Sequence, residues 1–436
     1  MKHHRYTQIG SWLMIALAGA LALATGCRPA PEAPADFGTL AVRVGHESIW
    51  LVRGRDKPRL LTQGDRPQLA PDGCHLIFRR PGDDDSCNQN GYGCSDLDVW
   101  FINVAGTEIK RLFSPYDEWE ESTAGLEWAP NAQGLAATTM GTAKALPRGD
   151  LYWVSVPRGA ITQLAVADFQ GGNNAGGTPH FSPDSKWVAT TRAWTGYTQA
   201  AVGLVGRDTH TARQVFYPLW AQGLVWADDS SGFVVALLVR RGVEKEDVTL
   251  RGELWWVPVV GEPKQLGELG DGNTVRSLRW QPGGQRLAYL YAQPGKESGS
   301  VHLVARDGSQ NVEVPGSTGM EIWGAWQASE DHSAWSPDGT WLLLQDGPSA
   351  SRPGSTPRVY LVNTQRLASP QLLDVGSVQG WLDATHYLVS TFDIKRNALE
   401  FSVCDTDRAC QPWAQVPMAN PNQDMSLSYV NKVCTK

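Results

Sequence analysis

The chain has 436 residues, 42% of them hydrophobic, and a formal net charge of −7 with both signs interspersed. No basic block interrupts that mixture, which argues against a nucleic-acid partner. Nineteen tryptophans far exceed ordinary usage, and they recur too regularly to be scattered surface residues.

Lys2, His3, His4 and Arg5 open the chain, and residues 9–24 are almost wholly apolar or small. This is a secretory h-region, too short and too weakly flanked for a membrane span. It ends in Ala24-Thr25-Gly26-Cys27, which resembles a bacterial lipobox, although leucine is commoner where Ala24 stands. The resemblance implies cleavage before Cys27 and a lipid on that cysteine. An ordinary signal peptide cut nearby is the alternative. The organisation expected is a lipoprotein signal peptide over 1–26, lipidated Cys27 with a Pro/Ala-rich tether over 27–38, and one domain over 39–436. Such a tether packs no core and stays extended. In lipoproteins an aspartate after the lipid cysteine often retains the protein at an inner membrane. Arg28 stands there instead, which leans towards an outer membrane if the cell has one, with the domain at the periplasmic or extracellular face.

From residue 39 onward one unit repeats. An alternating segment ends in an aromatic, a turn follows, and then a β-rich run. The instances are Leu69-Ala70-Pro71-Asp72-Gly73, Trp128-Ala129-Pro130-Asn131, Phe181-Ser182-Pro183-Asp184, Trp226-Ala227-Asp228-Asp229, Trp280-Gln281-Pro282-Gly283, Trp335-Ser336-Pro337-Asp338-Gly339 and Trp381-Leu382-Asp383. Proline presets the turn, and Asp, Asn and Gly supply local hydrogen bonds or a positive φ. Second strands are expected over 75–79, 135–139, 187–191, 233–239, 286–291, 341–345 and 386–391. Third and fourth strands follow in each unit. They are rich in Val, Ile, Leu, Tyr and Trp, as strands are. Four antiparallel strands repeated radially make an all-β propeller. The first unit, at 39–44, 48–52 and 58–61, lacks its own first strand. Residues 426–431 have the missing pattern, with Tyr429 at the aromatic position, so the C-terminal strand completes the N-terminal blade and removes two open edges. The count is eight blades, with seven the alternative because the fourth and eighth units are least regular. The repeated aromatics are expected between sheets, in the core.

Besides Cys27 there are six cysteines, an even set in an exported chain, which suggests disulfides. Cys87 and Cys94 share a loop and should pair. Cys404 and Cys410 flank a strand-to-strand turn and should also pair. That leaves Cys74 and Cys434, each three residues after a matching turn position (Pro71 and Asn431) in adjacent blades, where a bond would latch the closing strand. The spacing of Cys87 and Cys94 is loose for structural zinc.

Trp335-Ser336-Pro337-Asp338-Gly339-Thr340-Trp341, followed by Val359-Tyr360-Leu361-Val362, resembles the propeller repeat of the TolB family and of prolyl-oligopeptidase-type peptidases. The resemblance covers nearly everything after residue 38 and implies a propeller that holds or recognises another molecule. It departs from the TolB architecture, which has a small α/β domain where only a tether is expected here, and from the peptidases in showing no Gly-x-Ser-x-Gly elbow. Fold alone does not set function.

No catalytic residue, metal or cofactor is assigned from the sequence, and a non-enzymatic role is expected. Of the histidines, His180 and His332 lie just before or within first strands, near the channel, where acid–base chemistry would be placed. A packed or solvated histidine is the plainer account. The acidic run at 83–91 would suit a structural calcium, against a solvated acidic loop as the default. Long connections on one face carry the candidate ligand contacts: Glu118 and Trp119, Asn173 and Asn174, Trp194 and Tyr197, and Trp323. Rings supply apolar area and amides supply direction. The expected role is a cell-envelope lipoprotein that binds or scaffolds a protein, peptide or glycan through that face. A propeller enzyme acting on an extracellular polysaccharide, or a structural subunit of an envelope complex, are the alternatives.

Overall fold

The computed structural model describes residues 38–44, 48–80, 98–113, 123–139, 151–165, 174–175, 179–194, 200–241, 249–271, 273–293, 299–324, 334–347, 358–373, 375–393, 395–418, 425–430, 432 and 434. Six four-stranded sheets and one eight-stranded sheet, all antiparallel, are arranged as an eight-bladed propeller. The eight-stranded sheet is two blades, the fourth and fifth, sharing one long strand, Ala212–Trp226. Its first half pairs with Ala200–Gly206 and its second half with Gly232–Arg241. No turn separates the two blades here, so no turn signal in the sequence marks their boundary.

Blade 1 closes the ring. Thr39–Val44 pairs on one side with Ser48–Arg53 and on the other with Met425–Val430, with Leu40 opposite Tyr429. Tyr429, Trp128, Phe181, Trp226, Trp280, Trp335 and Trp381 are all buried, as is Leu69 at the same position in blade 2. Each fills the wedge between neighbouring sheets, where burying a large apolar side chain contributes roughly 1.5–3 kcal/mol.

Two disulfides are present among the described residues, Cys74–Cys434 and Cys404–Cys410. The first joins the blade 2 turn to the C-terminal tail. Thr39 Oγ1 donates to Lys432 O at 2.7 Å, and Arg53 Nη2 donates to Cys434 O at 2.7 Å. Gly73 has φ +66°, and a Cβ there would meet Lys432 O at 2.5 Å, so only glycine lets the tail lie this close. Cys87 and Cys94 lie outside the described residues.

The aspartates of the turns cap local amides. Asp338 accepts from the Ser336 and Thr340 hydroxyls and the Thr340 amide, and Asp383 from the Thr385 and His386 amides. Burial raises the Asp338 and Asp383 carboxyls, but these hydrogen bonds more than reverse it and leave both below their ordinary value of 3.8. A depressed folded value adds stability above the unfolded value, and that stability is lost as pH falls through the folded one. The urea midpoint should therefore hold steady above about pH 5 and fall below about pH 4. Asp338→Asn should shallow that fall, and an unchanged slope would remove the turn carboxylates from the account.

Candidate functional site

A sheet edge facing the central channel leaves N–H and C=O groups that need partners. The innermost strands find some of theirs in the preceding blade. The Leu69 amide donates to Ser428 Oγ at 2.9 Å, the Phe181 amide to Glu127 Oε1 at 2.8 Å, and the Val275 amide to Gln222 Oε1 at 3.0 Å. Four indoles then donate to innermost-strand carbonyls of the preceding blade: Trp128 to Gln68, Trp226 to His180, Trp335 to Arg279 and Trp381 to Ala334. At the junction of blades 8 and 1, Trp413 donates to Gly54 O at 2.7 Å. Every junction between blades thus carries a hydrogen bond, and Trp128, Trp226, Trp335 and Trp381 are anchored as well as buried.

Among the described residues of these inner strands, Glu127 and His180 form an acid–imidazole pair. His180 is 9% exposed, and its Nδ1 lies 3.4 Å from Glu127 Oε2. Glu127 gave no signal in the sequence, because its partner belongs to another blade 53 positions on. The pair could orient an imidazole for proton transfer, yet general acid–base work requires a third reacting group within reach. Among the described residues no cluster of His, Cys, Asp or Glu could hold a metal. Glu127 also occupies the amide-capping role that Ser428 fills between blades 1 and 2. Its first role is therefore to close the junction of blades 3 and 4. Glu127→Ala should cost about 1–3 kcal/mol by stranding the buried Phe181 amide, whereas Glu127→Gln, which keeps an acceptor, should stay within about 0.5 kcal/mol. Chemical denaturation measures both. Equal losses would assign the cost to the charge and not to the amide.

Two other candidates meet in blade 4. Asn174 lies opposite Trp194 at the long-connection end of the sheet. His180 pairs with Ala189. Five residue steps of strand separate Ala189 from Trp194, about 17 Å along the backbone. Trp194 itself is the last residue of the strand Trp187–Trp194 and not a loop residue.

The structure corrects the placement of Trp323. It is not a surface aromatic on a long linker but 3% exposed within the largest core cluster, beside Trp335 and Leu343. The linker expected over 317–332 contains the strand Met320–Ile322, which pairs with Leu344–Asp346 and carries Trp323 inward. The strand is only three residues long and interrupted by Glu321, too short for alternation to reveal. Glu118, Trp119, Asn173, Tyr197, His332 and Cys27 lie outside the described residues.

No family model matches the sequence, and no curated protein matches it. Solved structures do. A Mycobacterium tuberculosis puromycin-hydrolyzing peptidase aligns at 13% identity over 82% of this chain, with a TM-score of 0.50, and this chain covers 54% of that one. An oligogalacturonate lyase in complex with manganese aligns at 12% identity over 88% of this chain and 99% of its own, with a TM-score of 0.47. TolB from Acinetobacter baumannii aligns at 12% identity over 89% of this chain and 81% of its own, with a TM-score of 0.38. What is shared is the propeller fold.

The two faces of the propeller differ in what their polar groups do. On the turn face, basic side chains reach across junctions to carbonyls of the next blade. Lys110 Nζ donates to Arg158 O at 2.6 Å, Arg213 to Pro258 O and Gly261 O at 2.7 and 2.8 Å, and Arg286 to Thr364 O at 3.1 Å. Arg59 donates in the same way to Val104 O. On the opposite face the second and third strands end in pairs such as Arg80 opposite Asp98, Arg192 opposite Ala201, Arg241 opposite Thr249 and Asp393 opposite Ala398. The long connections leave the ring from these ends. Two are braced at the base: Asp98 pairs with Arg111 at 3.0 Å, and Asp346 accepts from Arg358 at 2.8 Å and Tyr360 at 2.9 Å.

Proposed function

We propose that this chain is an exported, lipid-anchored binding propeller of the bacterial cell envelope, which holds a protein, peptide or glycan partner on its long-connection face. The observation that carries this reading is the asymmetry of the two faces. On the turn face, Arg59, Lys110, Arg213 and Arg286 are engaged in blade-to-blade contacts with backbone carbonyls. The opposite face roots the connections of variable length on a rigid scaffold, the usual position for recognition. The secretory h-region and the lipobox-like Ala24-Thr25-Gly26-Cys27 support export and anchoring.

The test exchanges connections between the two faces. Protein carrying short glycine–serine replacements of residues 140–149 or 346–357 should lose a partner captured from envelope extract. Replacement of the short turn at residues 382–385 should not. If partners survive exchange on either face, the reading fails.

A further inference from the structure

The point where the tether joins the ring decides which face lies nearest the anchor. Gly38 sits at the turn end of blade 1: its carbonyl accepts from the Gly54 amide at 2.8 Å, and Thr39 pairs with Arg53. Eleven residue steps separate Gly38 from Cys27. An extended chain covers at most about 3.6 Å per step, so this end of blade 1 lies within about 40 Å of Cys27. The turn itself reads Arg53-Gly54-Arg55-Asp56-Lys57-Pro58-Arg59, four bases against one acid in a chain whose net charge is −7. Arg55, Lys57 and Arg59 are exposed. Lys432, also exposed, lies at the same turn end of blade 1, where its carbonyl accepts from Thr39 Oγ1. Leu60, 52% exposed, follows at the margin.

We propose that this blade 1 turn, with Arg55, Lys57 and Lys432 as its charged groups and Leu60 at its edge, docks on the anionic headgroups of the membrane that carries the anchor. The proposal rests on the lipid-anchored reading above and adds an orientation to it. Basic groups beside a lipid anchor act as a second membrane signal. Each Lys or Arg close to an anionic surface strengthens partitioning about fivefold. The charge, the apolar margin and the tether converge on one end of one blade. Docking there turns the long-connection face away from the bilayer, where a partner can reach it.

The test uses the mature protein reconstituted in vesicles of phosphatidylethanolamine and phosphatidylglycerol, or of phosphatidylcholine alone, and labels lysines with a membrane-impermeant acetylating reagent. Lys57 and Lys432 should be labelled at least about fivefold more slowly on the anionic vesicles, with the difference removed by high salt. Lys395, exposed on the opposite face, should react equally on both. Arg55→Glu/Lys57→Glu should restore labelling of Lys432. Equal labelling of Lys57 and Lys432 on the two vesicle types overturns the proposal, as does protection of Lys395. Mass spectrometry of the N-terminal peptide separates the two readings. If Cys27 carries no lipid, the anchor reading fails, and co-sedimentation of that unlipidated protein decides the patch. Salt-sensitive binding to anionic vesicles alone supports it, and binding to neither kind, or capture of only an acidic peptide, overturns it.

Discussion

Removing the latch with Cys74→Ser/Cys434→Ser is expected to destabilise the protein far more than removing the hairpin bridge with Cys404→Ser/Cys410→Ser. The two bonds close loops of very different length, with sequence separations of 360 and 6. In the chain-entropy account the first is worth up to roughly 6 kcal/mol and the second roughly 2 kcal/mol. In a ring of this size that difference amounts to several degrees in thermal midpoint, on the order of 5 °C. The loss should also have a location. The tail holds Thr39 and Arg53 through Lys432 O and Cys434 O, and Met425–Val430 covers the edge of Thr39–Val44. Amide exchange should therefore rise first in Thr39–Val44 and at Leu69, whose amide bonds to Ser428. Scanning calorimetry and hydrogen exchange on the two double variants check this. Equal losses, or exchange rising first in blade 5, would show that the ring is not held shut at its ends.

The second large effect is expected at Trp335. This ring is 0% exposed, sits in the cluster shared by blades 6, 7 and 8, and donates to Arg279 O at 3.2 Å. Trp335→Ala should cost about 3–5 kcal/mol through the cavity it leaves. Trp335→Phe keeps an aromatic ring and loses the indole donor, so a cost of about 1–2 kcal/mol is expected. Leu372, on an outer strand and 39% exposed, provides the contrast: Leu372→Ala should stay within about 0.5 kcal/mol. Urea unfolding distinguishes the three. If Trp335→Phe cost as much as Trp335→Ala, the indole bond and not the packing would dominate the junction.

Much of the ring was legible before any coordinates. Pro-Asp-Gly turns and alternating strands are local signals, and their recurrence marks the blades. Tyr429 could be aligned with Trp335 because both precede the same kind of turn or tail, and Cys434 could be placed opposite Cys74 by counting from those positions. The candidate site was less legible. His180 stands out as a histidine in a first strand, but nothing near it in sequence points to Glu127. Trp323 looks like a linker aromatic because the three-residue strand before it is too short to show a period. The shared strand Ala212–Trp226 hides a blade boundary because it has no turn.

Strand plan, the aromatic positions and the pairing of the last strand with the first blade were set by the sequence alone, since turn chemistry and period-two alternation act within a few residues. The tertiary structure decided which polar side chains cap the amides of a neighbouring blade, that Trp323 turns into the core, and that Gly38 sits beside the basic turn of blade 1. Those outcomes depend on how twisted sheets from distant parts of the chain pack side by side, and no local pattern records that packing.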